Sequence, residues 1–309
     1  MSRGWRILIT DGLAPEGIAL LRAEAETVEE NGLEALASFD AVVVRSRTHL
    51  PASDIERARP RLRAIGRAGV GVDNIDLAAA QAAGVIVVNA PQAASLAVAE
   101  HALGLMLSLA RRISQADASM KRGEWHKWDW EGVELAGKTL GLVGFGRIGR
   151  ALGDRAAALG MRVAAYDPLI PDEVIREGGA EPVALEPLVA EADYLSLHVP
   201  LSEATRGMIG REAFRRMKPG ARLINTARGG LVDEEALLEA LESGRLAGAG
   251  LDVFAEEPPQ LGALILHPKV IATPHIAAQT AEAQRRAAID IAQEVLAALH
   301  GEPLRWRVA

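Results

Sequence analysis

The sequence contains no cysteine in 309 residues. Disulfides, thiolate nucleophiles and cysteine-held metal sites are thereby excluded, and nothing points to an oxidising compartment. No uninterrupted apolar stretch approaches the ~20 residues that cross a bilayer, so no membrane span is expected. The opening MSRGWRILITDG runs directly into a strand-like segment without a small-residue cleavage site. No export signal is read there, and cytoplasmic residence is the expectation. Basic charge is also short: 34 Lys and Arg face 41 Asp and Glu, for a net charge of -7. A nucleic-acid surface needs concentrated Lys and Arg to displace counterions, so no nucleic-acid partner is expected. The one Arg-dense stretch, 57–67, is broken by apolar residues and reads as a solvated strand edge or helix end. Neither a short fixed repeat nor a low-complexity tract occurs, and no metal site is expected.

What is present is a globular composition, 49% hydrophobic and 24% charged, on a chain long enough for two domains. Short apolar runs alternate with longer helical-period segments, which predicts an α/β fold with parallel strands joined by crossover helices. Strands are read at 5–9, 41–44, 62–67 and 85–88, then at 139–144, 162–166, 194–198, 222–225, 249–253 and 270–273. Helical stretches are read at 15–25, 75–83, 96–121, 147–159 and 281–300. Pro15 suits a first helical turn and Gly84 a helix C-terminus. Two series of this kind can be two independent domains, or one domain that the chain leaves and re-enters; periodicity leaves both open.

The stretch LGLVGFGRIGR, 140–150, places Gly144, Gly146 and Gly149 at GxGxxG spacing between a strand and a helix. Taken alone, such spacing serves a tight turn as well as a dinucleotide. Here the unit continues to a second strand that ends at Asp167. Gly144 allows the turn, Gly146 lets backbone approach a pyrophosphate, and Gly149 lets helix pack on strand, with the phosphates at the helix N-terminus. Asp167 suits the two ribose hydroxyls of adenosine and would repel a 2'-phosphate, which favours NAD over NADP; the bland alternative is a turn residue before Pro168.

Three further stretches, INTARGGLVDEEAL (224–237), GLDVFAEEPP (250–259) and ATPHIAAQT (272–280), carry polar residues where strands of the second series end. Ligands of open α/β sheets bind outside those ends. Arg228 offers a guanidinium fork suited to a carboxylate. Glu257 lies in a loop stiffened by Pro258 and Pro259, and His275 follows Pro274 at a strand end. Together they supply what hydride transfer between a 2-hydroxy and a 2-oxo acid needs: a cation, a proton donor, and a carboxylate to hold that donor. Spacing alone does not bring the three together.

These stretches, with VRSRT (44–48), IGRAGVGVDNIDL (65–77) and YDP (166–168), occur in the order and form seen in the NAD-dependent D-2-hydroxyacid dehydrogenases. The chain resembles that family, and within it the phosphoglycerate branch, which opens serine biosynthesis. The resemblance implies two Rossmann-like, flavodoxin-like domains with an active-site cleft between them: a substrate-binding domain of 1–95 plus 282–309, and an NAD-binding domain of 96–281. It implies that Arg228 binds the substrate carboxylate, His275 is the general acid/base, Glu257 pairs with it, and Asp252 orients the nicotinamide amide. Arg147 and Ile148 would lie on the pyrophosphate, and His198, Val199, Thr226, Ala227 and Ala278 near the cofactor. Arg45, Ser46, Gly69, Val70, Gly71 and Asn74 would face a small 2-hydroxy or 2-oxo acid. The arm carrying Trp125, Trp128 and Trp130, with the helix before it, would form a homodimer. Departures include Val70 and Val199, where human-like members of the phosphoglycerate branch carry threonine, and the early stop at Ala309, from which serine feedback is not expected. Arg47 adds a cation beside Ser46. Glyoxylate, hydroxypyruvate and D-lactate stay open as substrates, as does an NAD-sensing binding protein without turnover.

Overall fold

The computed structural model describes residues 4–309. Its contacts divide the chain into two units, one running up to Ser95 and resuming over Ala278–Ala309, the other comprising Leu96–Ala277.

In the first unit β1 (Trp5–Ile9), β2 (Ala25–Glu30), β3 (Ala41–Val44), β4 (Ala64–Arg67) and β5 (Ile86–Asn89) form a parallel sheet in the order β2-β1-β3-β4-β5. Successive side chains of a strand point to opposite faces. Accordingly Ile7, Ile9, Val43 and Ala64 pack with Ile291, Val295 and Leu299 of the helix Ala281–His300. Leu8, Val42, Val44 and Ile65 pack on the other face with Leu36, Phe39, Ile55 and Ala80. Burial on both faces explains why the inner strand β3 reads AVVV without alternation. Gly66 is required for this layering, because a Cβ there would collide with Val295 Cγ2. The helix begins at Thr280, whose side chain accepts the Ala283 N–H at 3.1 Å, and ends at Gly301 in the left-handed region, φ +73°. Past it the chain returns antiparallel to β5, with Val308 N–H donating to Val87 O at 2.7 Å. The buried Glu294 holds that return through the backbone N–H groups of Arg305 and Trp306, both at 3.0 Å.

The second unit has β6 (Thr139–Val143), β7 (Arg162–Tyr166), β8 (Glu181–Pro182), β9 (Tyr194–Leu197), β10 (Ala221–Asn225), β11 (Leu246–Leu251) and β12 (Val270–Ala272). They form a parallel sheet in the order β12-β11-β10-β9-β6-β7-β8. Strand order reverses between β6 and β9, so loops leaving these two strands diverge and open a crevice at their carboxyl ends. Gly248 and Gly250 of β11 let the helix Ser95–Arg111 lie close, since a Cβ on either would come 3.0 Å from Leu109 or Leu105.

The helical segment read as continuous over 96–121 is two helices, Ser95–Arg111 and Ile113–Lys121, separated by Arg112 at φ +51°. The Ala110 carbonyl, free at the end of the first helix, accepts the Val133 N–H at 2.9 Å. A tertiary hydrogen bond from the arm thus caps the first helix, and periodicity carries no sign of it. Arg57 ends a short helix, Ala52–Arg57.

Candidate active site

The glycine loop leaves β6 at the point where the strand order reverses. Gly144 has φ +99°, donates its N–H to Tyr166 O at 2.8 Å, and has no room for a Cβ, which would lie 2.7 Å from His198 O. A Cβ on Gly149 would collide with the Gly144 carbonyl oxygen. Gly146 is different: nothing lies within 4 Å of where its Cβ would be. It caps the helix Arg147–Ala158 without any side chain satisfying the first-turn N–H groups. The free amides and the open backbone beside them form a cradle for an anion. Arg147 is exposed and Ile148 half-buried at its rim. Asp167, at the end of β7, accepts Phe145 N–H through one oxygen and Leu169 N–H through the other, both at 2.9 Å. The carboxylate is fixed beside the loop with lone pairs to spare.

Across the crevice, His198 follows β9 and pairs its Nε2 with Ser196 Oγ at 2.8 Å. Burial pushes its imidazole down to about 4, so it stays neutral in the neutral range. Val199 packs against the Gly144 turn. Beyond β10, Asn225 braces the loop by donating to Arg228 O at 2.9 Å and accepting Ala227 N–H at 3.1 Å. Thr226 Oγ1 in that loop is buried and has no hydrogen-bond partner among the described residues. Beside the glycine loop, such a hydroxyl is available to a bound partner. The glycine cradle, the Asp167 carboxylate and this hydroxyl together fit a dinucleotide.

Arg228, Glu257 and His275, far apart in sequence, meet beyond β10, β11 and β12. His275 Nδ1 and Glu257 Oε2 are 2.7 Å apart, and Glu257 Oε1 accepts the Phe254 N–H at 3.1 Å. Burial raises the Glu257 carboxyl, but the His275 and Phe254 hydrogen bonds and the charges of His275 and Arg228 outweigh it and hold the group below its ordinary range. The carboxylate is therefore ionised at neutral pH and fixes His275 through Nδ1, which leaves Nε2 directed elsewhere. Arg228 Nη1 donates to Ala227 O at 2.6 Å. Gly229 allows the approach of the two loops, because a Cβ there would run into the Phe254 carbonyl. Asp252, at the end of β11, is fully buried, and its carboxylate accepts from Thr273, Ile276 and Ala277.

In the first unit, the residues singled out by sequence lie beyond β3 and β4. Asp11 accepts the backbone N–H of Arg45 at 2.7 Å and the hydroxyl of Thr48 at 2.6 Å, and its own carbonyl accepts from Arg47 at 3.3 Å. Asn74 ties the two loops by donating to Arg45 O and Thr48 O at 2.8 and 2.6 Å. Burial lowers the Arg45 guanidinium from its usual value, with the Arg47 charge adding to this against the opposing pull of Asp11. Ser46, Arg47 and Val70 are exposed, Gly69 is buried and Gly71 half-buried. Ala278, also in this unit, accepts from Gln284 Nε2 at 2.9 Å. His101, Thr273, Asn225 and Glu234, which accepts the Ala255 N–H at 2.7 Å, were not singled out as site residues. His101, Thr273 and Glu234 act through partners distant in sequence, and Asn225 braces its own loop; no local pattern marks any of them.

Residues 103–277 match the model of the D-isomer specific 2-hydroxyacid dehydrogenases, NAD binding domain. The chain is 48% identical over 304 residues to D-3-phosphoglycerate dehydrogenase of Methanocaldococcus jannaschii, covering 96% of this chain and 58% of that protein. It thus spans little more than half the length of that relative. Among solved structures it resembles the TT0316 protein of Thermus thermophilus, at 36% identity and a TM-score of 0.89, over 98% of this chain and all of that one, 100%. A glyoxylate reductase from Paecilomyes thermophila also aligns at a TM-score of 0.89, with 31% identity, over 100% of this chain and 99% of that one.

Proposed function

This chain belongs to the D-isomer specific 2-hydroxyacid dehydrogenase family, and on that premise we propose that it oxidises 3-phosphoglycerate at C2 with NAD as acceptor. The observation that carries the reading is the His275–Glu257 pair at 2.7 Å, with Arg228 close enough for its charge to bear on that carboxylate.

Residues of the glycine loop, 144–149, would hold the pyrophosphate on the helix N-terminus, Asp167 would take the adenosine ribose, and Thr226 Oγ1 would be free to bond the cofactor. NAD, when bound, supplies the acceptor for the hydride leaving C2. Arg228 grips the substrate carboxylate by its fork and fixes the orientation of C2. His275 Nε2 takes the C2 hydroxyl proton while the C2–H bond breaks, and the ionised Glu257 stabilises the imidazolium that results. In the reverse direction the same imidazolium returns the proton to the carbonyl oxygen. Within the first unit, Asp11 holds in place the loop that carries Arg45 and Arg47.

The reading includes a homodimer formed through the arm and the helix before it. The exposed Trp125, Trp128, Met120 and Ile113 support that surface.

A panel of 3-phosphoglycerate, glyoxylate, hydroxypyruvate and D-lactate, followed by NADH absorbance with NADP in parallel, tests the proposal. The expected result is the highest kcat/KM with 3-phosphoglycerate and NAD, and loss of turnover with retained NADH binding in His275→Ala. Preference for another acid overturns the substrate assignment, and preference for NADP overturns that of Asp167. NADH binding without turnover of any acid would place the chain among sensing proteins instead.

A further inference from the structure

The His275 side chain sits on a backbone that does not hold itself. Its φ of +52° lies in the left-handed region, which residues with a Cβ seldom adopt. Such a conformation persists where the surroundings over-determine it. Here most of that hold comes from Asp252, beside the Thr273 carbonyl, which shares the His275 N–H at 3.0 Å. The N–H of His275 donates to the Asp252 carbonyl at 2.9 Å, that of Ile276 to Asp252 Oδ1 at 2.9 Å, and that of Ala277 to Asp252 Oδ2 at 2.8 Å. Three consecutive amides of the loop therefore end on Asp252, whose side chain is 0% exposed.

A carboxylate so placed needs partners for its remaining lone pairs. Thr273 Oγ1 lies 2.6 Å from Asp252 Oδ1 and gives it the single proton a hydroxyl possesses. His101, on the helix Ser95–Arg111, places Nε2 at 3.1 Å from the same Thr273 oxygen and 3.5 Å from Asp252 Oδ1. Because the threonine proton is already committed, the imidazole must be the donor, and Nε2 must carry hydrogen.

We propose that His101 and Thr273 are positioning residues for the reaction: His101, protonated on Nε2, donates to Thr273, Thr273 donates to Asp252, and Asp252 holds amides 275–277 so that His275 meets Glu257. Neither His101 nor Thr273 touches the substrate. The inference rests on the reading that His275 carries the substrate proton, but its consequences for the loop do not depend on turnover.

Two measurements test it. In the parent protein labelled with 15N-histidine, the ring shifts of His101 report which nitrogen bears hydrogen; a bare Nε2 overturns the proposal without any variant. In His101→Ala and in Thr273→Val, which removes the hydroxyl at nearly constant volume, hydrogen exchange over 274–277 is expected to accelerate roughly tenfold or more as the loop opens locally. In the same variants kcat should fall by about tenfold through misplacement of His275, with KM for the acid and Kd for NADH within about twofold of the parent. His101→Gln, whose amide can donate from the same place, and Thr273→Ser should recover most of both losses. Parental exchange and kcat in the two deletion variants, or no recovery in the conservative ones, overturns the proposal. If His275→Ala is inactive while His101→Ala behaves as the parent, this inference fails and the proposed function stands. If the parent turns over none of the acids, the function fails, and exchange and tautomer still decide the present point. Should His101→Ala not fold, Thr273→Val and the tautomer carry the test.

Discussion

Gly146 and Gly149 stand three residues apart and serve opposite ends. A Cβ at 149 collides with the Gly144 carbonyl, whereas one at 146 meets nothing within 4 Å. Gly146→Ala is therefore expected to leave Tm nearly unchanged while weakening NADH binding by roughly tenfold, about 1.4 kcal/mol, in a fluorescence titration. Gly149→Ala should lower Tm as well. His198 makes a prediction of opposite kind, on pH. Burial holds it at about 4, below the ordinary histidine value of about 6.5. The unfolded chain thus binds the proton more readily across that window, so stability is present above it and is lost as pH falls from near 6.5 toward 4. Thermal melts of the parent and of His198→Gln between pH 7 and pH 4 should differ in slope, the variant losing less. At this scale the sequence marked the loops that the structure brings to the carboxyl ends of the strands. Gly144, Gly146 and Gly149 follow a strand, and Arg228, Glu257 and His275 each follow a strand end, where an α/β sheet presents side chains. Asp252 was named but its partners were not, because His101 lies on a helix in an otherwise apolar, core-like segment and nothing in AEHALGL distinguishes a ligand of a buried carboxylate from a surface histidine.

Strands were read well where they are buried on both faces and therefore consist of unbroken aliphatic runs, as in AVVV of β3 and TLGLV of β6. The strand β2, AETVEE, lies at the sheet edge with no fully buried residue. Its alternation is weak, and the sequence alone did not mark it. Edge strands carry charge to discourage further pairing, which also erases their signature. The break at Arg112 was equally hidden, because the Ala110 carbonyl just before it finds its partner in the distant Val133 amide. The element that most directly builds the site is the short turn at Gly229–Leu231, which brings the Arg228 loop against Phe254. Gly229→Ala would force backbone against backbone. A loss at or above the upper end of the about 1–3 kcal/mol usual for overpacking is expected, visible in urea melts, together with loss of turnover.

The proposed dimer is a property of the whole molecule. Trp125 and Trp128 are 77% and 85% exposed on the single chain, and the aromatic anchors of an interface commonly contribute at least about 2 kcal/mol each, near thirtyfold in the association constant. Trp128→Glu should shift sedimentation from dimer to monomer at micromolar concentration, with its far-UV spectrum unchanged. Parental sedimentation in both the 125 and 128 variants would move the interface elsewhere. The division of the chain into two units leaves a different mark. The core of the first unit takes Ile291, Ala292, Val295 and Leu299 from the helix Ala281–His300, yet its five strands all lie before residue 90. On a ribosome, the first third of the chain emerges with one face of its sheet bare and must wait while the entire second unit is made. The unit that comes second in sequence is thus the first able to close. For about ten to forty seconds at usual elongation rates, the earlier strands depend on chaperones or on slow, reversible collapse. Pulse proteolysis of stalled nascent chains should find residues 96–277 protected before residues 4–95 are.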